Sequence, residues 1–202
     1  MNNFKLAILI SGSGSNLQAL IDQFSQKDNK VIINCVISNK RNAYGLERAK
    51  KAGIRTHFVD HTQHGTREGF DQELIKILNQ YNPDLIVLAG FMRILSDIFV
   101  DKYLGRIINI HPSLLPKYPG LDTHQKVIKN NDRLHGVTVH YVDKSLDGGP
   151  VCGQSMLEVE TTDVEELQNQ IHKLEHKLYP HIVSLIAEGK MTFDKGKVVK
   201  KT

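Results

Sequence analysis

Residues 84–90 read DLIVLAG, and this stretch decides the fold class because every residue from Leu85 to Ala89 is apolar. A strand with one face in water alternates between apolar and polar residues, whereas this one is apolar on both faces. Strands of that kind occur in parallel sheets whose two faces are covered by helices. The stretch therefore predicts a central strand of an α/β fold.

Apolar runs and helical patterns alternate on both sides of this strand. We predict strands at 6–10, 31–38, 56–59, 84–89 and 106–110, and helices at 15–26, 44–52, 67–80 and 96–103. Parallel strands need crossover connections, which are usually helical. The alternation thus favours a doubly wound α/β fold with a mostly parallel, Rossmann-like sheet.

The second half of the chain has a different pattern. After a predicted helix at 122–130, residues 136–142 and 150–159 read as two strands joined through the turn at 145–149. Strands connected in this way pair in antiparallel fashion. We therefore expect antiparallel additions to the sheet in the C-terminal half.

The last quarter of the chain predicts a long helix and a hairpin. Residues 162–165 have the spacing of a capping box, Pro180 should kink the helix that follows, and a hairpin is expected at 191–199. Without repeats or linker-like segments, residues 1–202 read as a single domain. Its parts are a first half at 1–100, a second half at 101–189 and a tail at 190–202.

Composition and charge disfavour several classes of partner. No apolar run approaches the roughly 20 residues of a membrane-spanning helix, and we expect neither a membrane partner nor a signal peptide. The formal charge of +4 is mild, and the basic residues at 195–201 read as a solvated tail rather than a nucleic-acid arm. Cys35 and Cys152 lie far apart in sequence, as expected for a reduced, cytoplasmic protein.

The sequence SGSGSN at 11–16 connects the first predicted strand to the first helix. Glycines allow the backbone to approach a ligand closely, and amides at a helix start favour an anion. Leu17 stands where a dinucleotide fingerprint has its third glycine, so a single phosphate monoester is the expected ligand. The alternative is a glycine-rich connection in which Ser15 or Asn16 caps the helix.

The sequence NIHPSLLPKYPG at 109–120 follows the strand predicted at 106–110. Asn109 and His111 are two positions apart, so in extended backbone their side chains point to the same side. Three prolines restrict the backbone behind them, which holds an amide and an imidazole in place at low entropic cost. The alternative is a rigid turn with no catalytic role.

Asp147 lies in the turn LDGGP between the two later strands. If those strands flank the same part of the sheet, its carboxylate approaches His111, orients the ring and favours its charged form. Asn109, His111 and Asp147 then form acyl-transfer machinery without a covalent nucleophile, since no serine or cysteine lies in a recognisable motif with a base. The alternative for Asp147 is a turn residue, because Asp-Gly is a common turn pair.

Four stretches carry a resemblance to a known family: ISGSGSNLQALI, LAGFMRILS, INIHPSLLPKYPG and LDGGPV. In order and spacing they resemble the phosphoribosylglycinamide formyltransferases, and the similarity extends from residue 5 to about 189. The resemblance implies transfer of a formyl group from 10-formyltetrahydrofolate, as co-substrate, to the amine of glycinamide ribonucleotide. This is a one-carbon transfer in purine biosynthesis.

The resemblance also implies roles for individual residues. The matched catalytic positions are Asn109, His111 and Asp147. The positions matched to binding of the substrate phosphate and ribose are Gly14, Ser15, Asn16 and Glu175. Since the first three form the phosphate loop, phosphate binding is expected in residues 1–100. Those that bind folate are Arg67, Met92, Arg93, Ile94, Leu95, Asn109, Asp143, Lys144, Ser145, Leu146 and Asp147. Residues 101–189 thus become the catalytic and folate-binding half.

The chain departs from the family pattern at two positions. His172 stands where glutamine is frequent, and Asp122 stands where histidine is frequent, so both contacts remain open. His140 and His172 are possible pocket residues. The sequence HKLEH at 172–176 resembles a zinc-peptidase motif, but it lacks a third ligand, and we expect no metal.

Two other functions remain as alternatives. A formyltetrahydrofolate hydrolase would use water in place of the amine, but that family usually has His-His where this chain reads His111-Pro112. A non-catalytic domain that binds a phosphorylated sugar is the second. The expected partners are small molecules, and the sequence leaves open whether the protein is a monomer or a homodimer.

Overall fold

The computed structural model describes residues 3–25 and 29–201. The strands are β1 (Phe4–Ile10), β2 (Val31–Ser38), β3 (Arg55–Phe58), β4 (Leu85–Leu88), β5 (Ile107–His111), β6 (Leu134–Tyr141), β7 (Val151–Glu158), β8 (Met191–Asp194) and β9 (Lys197–Lys200). The helices are α1 (Ser15–Phe24), α2 (Tyr44–Lys51), α3 (Arg67–Tyr81), α4 (Asp97–Lys102), α5 (Thr123–Lys129) and α6 (Val164–Ala187). A 3₁₀ turn spans His61–Gln63.

A seven-stranded sheet has the order β3-β2-β1-β4-β5-β6-β7, and β8 and β9 form a separate hairpin. This confirms the predicted mostly parallel α/β fold with antiparallel additions. The chain divides into two compact units, and the boundary between Ile108 and Asn109 falls inside β5. The single-domain organisation stays a prediction. None of the helices in the described ranges has the length and apolar character that crossing a membrane requires.

The first unit contains the parallel core. β1 pairs in parallel with β2 and with β4, and β2 pairs in parallel with β3. Every residue of β4 is buried, as predicted for a strand that is apolar on both faces. The carboxylate of Asp71 on α3 is also buried in this unit.

The second unit contains the antiparallel strands. β6 pairs with β7 from Leu134↔Glu158 to His140↔Val151, and β8 pairs with β9, so the C-terminal hairpin is confirmed. Gly136 permits close pairing, because a Cβ there would lie 2.2 Å from the Ser155 carbonyl oxygen.

Helix α6 differs from its prediction in its cap. Asp163 is the N-cap and accepts hydrogen bonds from the Glu165 and Glu166 amides, so the cap lies one residue after the predicted Thr162. An aspartate carboxylate is at least as good an N-cap acceptor as a threonine hydroxyl. The helix continues through Pro180, and its buried stripe consists of Leu167, Ile171, Glu175, Tyr179, Pro180, Ile182 and Val183.

Helix α5 contacts β6 through a pair of imidazoles. His124 Nδ1 lies 2.9 Å from His135 Nε2, so one ring donates a hydrogen bond to the other. Burial lowers the pKa of His124 to about 4, and the charges of His172 and His111 act in the same direction. Burial and the His124 charge also lower the pKa of His135 to about 4, although Asp132 opposes this shift.

This pair should make the stability of the protein depend on pH. Both rings have a lower pKa in the folded protein than the unfolded value of about 6.5, so the folded state binds fewer protons. The free energy of unfolding should therefore be fully developed above about pH 6.5 and decrease as pH falls towards 4. Urea denaturation at about pH 7.5 and about pH 5 measures the loss.

A pair of variants assigns the loss to these rings. His135→Gln should lose less stability between the two pH values than the wild type, whereas His181→Gln, on an exposed position of α6, should lose as much as the wild type. An equal loss in His135→Gln and in the wild type would contradict the assignment.

Candidate active site

The last residues of β5 and the turn after β6 bring His111 and Asp147 together. His111 Nδ1 lies 3.4 Å from Asp147 Oδ2, and their side chains are only 7% and 13% exposed. A buried carboxylate beside an imidazole orients the ring and stabilises its charged form. The second unit thus contains, by itself, an imidazole in contact with a carboxylate at the carboxyl end of a strand, where open α/β sheets bind ligands.

His140 belongs to the same cluster. Its Nδ1 lies 2.9 Å from the Tyr141 carbonyl oxygen, which can only accept, so Nδ1 carries the hydrogen. Burial lowers the pKa of His140, and the Tyr141 hydrogen bond and the Asp147 charge only partly oppose this effect. A neutral ring with hydrogen on Nδ1 has a lone pair on Nε2. That atom lies 3.3 Å from Asn109 Nδ2 and accepts from it.

This contact orients the Asn109 amide. With one hydrogen of Nδ2 directed at His140, the other is available to a further acceptor. Asp147 is held as well, because its Oδ2 accepts from the Gly120 amide at 2.8 Å, while Oδ1 lies 3.7 Å from His140 Nε2. The four side chains thus present one fixed amide donor and one imidazole paired with a carboxylate.

Backbone conformation sets the position of Asp147. Its φ is +52°, in the left-handed region that non-glycine residues rarely adopt. Gly149 lets the same turn approach β6, because a Cβ there would lie 1.9 Å from the Tyr141 carbonyl oxygen. At the other end of the turn, the Ser145 amide donates to Asp143 Oδ1 at 2.8 Å. The 143–147 segment is therefore a braced turn, with Leu146 exposed at its tip.

Helix α6 carries the two remaining predicted residues of this unit. Glu175 is 5% exposed and lies within the buried stripe of the helix. His172 is half-buried, and burial lowers its pKa. Its ring stacks on that of His176 with centroids 6.1 Å apart. Across residues 3–25 and 29–201, no three histidine, cysteine, aspartate or glutamate side chains are grouped to hold a metal ion.

The first unit contains the predicted phosphate loop. Gly14 is the N-cap of α1 with φ +72°, and the helix begins at Ser15. The predicted cap by Ser15 or Asn16 is therefore wrong, because Gly14 is the N-cap, while phosphate binding by this loop stays a prediction. Two observations explain why position 14 is glycine. Its φ lies in the left-handed region, and a Cβ there would lie 2.6 Å from the Gly45 Cα on α2.

A cation lies beside this loop. Arg48 Nε donates to the Ser13 carbonyl oxygen at 2.9 Å, and the first turn of α1 contains no acidic side chain. Backbone amides at a helix start, a positive dipole end and a guanidinium together favour an anion.

The segment at 92–95 follows β4 in the same unit. The Met92 amide donates to Ser11 Oγ at 2.8 Å, and Met92 and Ile94 are 65% and 60% exposed. The Ser96 amide, directly after the segment, donates to the buried Asp71 carboxylate at 2.5 Å. Both ends of the segment are thus fixed while two apolar side chains face outwards.

Arg67 and Arg93 also lie near Asp71. Burial raises the pKa of Asp71, whereas hydrogen bonding from Ser96 and the charges of Arg67 and Arg93 lower it. The Arg93 guanidinium packs over the Phe70 ring at 5.5 Å. Sequence reasoning missed Asp71, although a carboxylate between Phe70 and Leu74 on an apolar helix face was a usable signal.

Sequence reasoning also left the His140 contact open and missed the Tyr118 carbonyl. His111 Nε2 lies 2.8 Å from the Tyr118 carbonyl oxygen, a main-chain contact that no side-chain pattern reports. His140 lies in the strand predicted at 136–142, but the sequence pattern did not indicate that Asn109 contacts it.

Comparisons with known proteins identify the family. A family model for formyl transferases matches residues 4–183. The phosphoribosylglycinamide formyltransferase of Escherichia coli K12 is 49% identical over 187 residues, which covers 92% of this chain and 88% of that protein.

Solved structures agree with this assignment. The phosphoribosylglycinamide formyltransferase of Coxiella burnetii has a TM-score of 0.93 at 45% identity, covering 98% of this chain and 94% of that one. Glycinamide ribonucleotide transformylase 1 of Symbiobacterium toebii has a TM-score of 0.95 at 36% identity, covering 99% and 95%. The chain therefore belongs to the phosphoribosylglycinamide formyltransferase family.

Proposed function

We propose that Asn109, His111 and Asp147 carry out the formyl transfer of this family in this chain, from 10-formyltetrahydrofolate to the amine of glycinamide ribonucleotide in purine biosynthesis. The observation that carries the proposal is the 3.4 Å contact between His111 and Asp147, with the Asn109 amide fixed in the same cluster. The cluster offers an imidazole beside a carboxylate and an oriented amide donor, groups that suit the stabilisation of a developing oxyanion.

The reaction has two bond changes. The amine lone pair attacks the formyl carbon, a C–N bond forms, and the carbonyl electrons move onto oxygen to give a tetrahedral oxyanion. Collapse of this intermediate breaks the bond from carbon to N10 of the folate, and the proton lost by the amine ends on N10. The barrier falls if the charge on oxygen meets groups that are already oriented.

The fixed cluster provides those groups. The second Nδ2 hydrogen of Asn109 donates to the oxyanion, since the first is held by His140. Both nitrogens of His111 face protein acceptors, so the ring acts chiefly through its positive charge. Asp147 balances that charge and orders a water that relays the proton from the amine towards N10.

Other residues bind the substrates in this proposal. Gly14, Ser15 and Asn16 hold the phosphate, with Arg48 as a neighbouring cation, and Glu175 contacts the ribose-glycinamide part. The folate contacts are Arg67, Met92, Arg93, Ile94, Leu95, Asp143, Lys144, Ser145 and Leu146. The apolar Met92 and Ile94 side chains suit a flat pterin ring, and His172 remains a possible contact.

We also propose a cytoplasmic protein, as monomer or homodimer, that works on small molecules without nucleic acid or a membrane. Cys35 and Cys152 are both buried and free, and burial raises the pKa of each thiol to about 12. Such thiols are unreactive and pack as small apolar side chains. They suit a reducing compartment.

A formyl-transfer assay tests the function. The purified protein should consume 10-formyltetrahydrofolate only when glycinamide ribonucleotide is present, and the formyl group should appear on that amine. Consumption without the ribonucleotide would indicate a hydrolase instead. Binding of the ribonucleotide without any consumption would indicate a non-catalytic domain.

Removing the charge pair should slow the chemistry more than it weakens binding. We expect His111→Ala and Asp147→Asn each to lower kcat by about 10²- to 10³-fold, with small changes in KM, because the lost interactions form mainly in the transition state. Steady-state kinetics with both substrates measure this. His181→Ala, on an exposed position of α6, should keep wild-type kcat. Near-normal kcat in His111→Ala would contradict the catalytic role proposed for His111.

A backbone change should weaken binding of the phosphorylated substrate. Gly14→Ala introduces a Cβ that would clash with Gly45, so the loop must shift, and KM for glycinamide ribonucleotide should rise on the order of tenfold. Gly53→Ala is a matched control, since Gly53 has φ +71° but no atom within 4 Å of its added Cβ. An unchanged KM in a folded Gly14→Ala variant would contradict phosphate binding by this loop.

A further inference from the structure

We infer that Tyr118 is a positioning residue for His111: its side chain is anchored by Asp132 and Asn130 so that its main-chain carbonyl fixes the imidazole. The inference rests on the catalytic role proposed for His111. Tyr118 lies in the proline-rich loop at 112–120, which directly follows β5 in the sequence. The inference thus gives this loop a role in orienting the catalytic imidazole.

The contact at the ring determines where its hydrogen lies. His111 Nε2 is 2.8 Å from the Tyr118 carbonyl oxygen, and a carbonyl oxygen can only accept. Nε2 therefore carries a hydrogen in both the neutral and the charged ring. Nδ1 lies 3.4 Å from Asp147 Oδ2, so the carboxylate faces the ring on the side opposite to the Tyr118 carbonyl. The Tyr118 carbonyl thus excludes the neutral tautomer with hydrogen on Nδ1.

The backbone that presents this carbonyl needs support. Tyr118 has φ +55°, in the left-handed region that is unfavourable for a residue with a bulky side chain. Glycine would adopt this conformation without strain, yet the chain has tyrosine here. A residue in such a conformation persists where its surroundings hold it.

The phenol of Tyr118 supplies that support. Its hydroxyl donates to Asp132 Oδ2 at 2.8 Å and accepts from Asn130 Nδ2 at 2.8 Å. Lys117 Nζ adds an ion pair to Asp132 Oδ1 at 3.3 Å. These bonds tie the loop to the segment that follows α5.

That segment is itself fixed. The Asp132 amide donates to the Val127 carbonyl oxygen at 3.1 Å, and the Asn131 amide donates to the Ile128 carbonyl oxygen at 3.0 Å. The chain of contacts therefore runs from the end of α5, through the Tyr118 phenol, to the carbonyl that accepts from His111. Removing only the phenolic oxygen should release the carbonyl without touching the ring of His111.

Tyr118→Phe tests this. We expect kcat to fall about five- to tenfold with KM for both substrates within about twofold, as expected for one or two lost hydrogen bonds that act on orientation. The ¹⁵N spectrum of labelled histidine at neutral to alkaline pH should show hydrogen on His111 Nε2 in the wild type. In Tyr118→Phe it should show a mixture of tautomers.

Tyr103→Phe is the matched control. Its phenolic oxygen is buried and has no hydrogen-bond partner among residues 3–25 and 29–201, so its removal should change neither kcat nor the histidine spectrum. Asp132→Asn, which keeps an oxygen acceptor for the phenol, should retain most activity, whereas Asp132→Leu should behave like Tyr118→Phe. The Asp132 pair also gives an answer if Tyr118→Phe does not fold.

The outcomes separate this inference from the proposed function. Wild-type kcat and an unchanged His111 spectrum in both Tyr118→Phe and Asp132→Leu would overturn the positioning role, while an inactive His111→Ala would leave the proposed function intact. An active His111→Ala would overturn both.

Discussion

The proposed chemistry depends on the contact between the His111 ring and the Asp147 carboxylate. These groups come from different elements of the second unit, and each is braced from behind: the ring by the Tyr118 carbonyl, the carboxylate by the Gly120 amide. Electrostatic catalysis requires charged and polar groups that are oriented before the reaction begins. Reorientation during the reaction would cost free energy and reduce the stabilisation of the transition state. The bracing groups are main-chain atoms, which move less than side chains.

In each unit one glycine permits a close approach between two main-chain segments. Gly14 lies against Gly45 in the first unit, and Gly149 lies against the Tyr141 carbonyl in the second. Asp147 and Tyr118 adopt positive φ values without being glycine. In both units the regular elements supply rigidity, and the irregular connections at strand ends supply the groups that are proposed to act on substrate.

The sequence predicted those features that depend on local pattern. The apolar run at 84–89, the strand at 31–38 and the two strands joined through the turn at 145–149 were sufficient for the fold class. Features that depend on contacts between elements were not predictable in the same way. Leu174 and Leu178 fit the apolar spacing of α6, yet Glu175 and Tyr179 are the buried residues, because the packing of the helix selects its inner face. The pairing of Asn109 with His140 depends likewise on where β5 and β6 place them.

Two folate compounds test whether His111 is complementary to the oxyanion. One is a stable tetrahedral analogue of the intermediate, such as a folate carrying a hydrated aldehyde, and the other is an unreactive folate of the same size. The dissociation constants of both should be measured for wild type and His111→Ala. If His111 and its partners are complementary to the oxyanion, the variant should lose affinity for the tetrahedral analogue by about the factor by which kcat/KM falls, and bind the unreactive folate normally. Equal losses for both compounds, or none for either, would contradict the account.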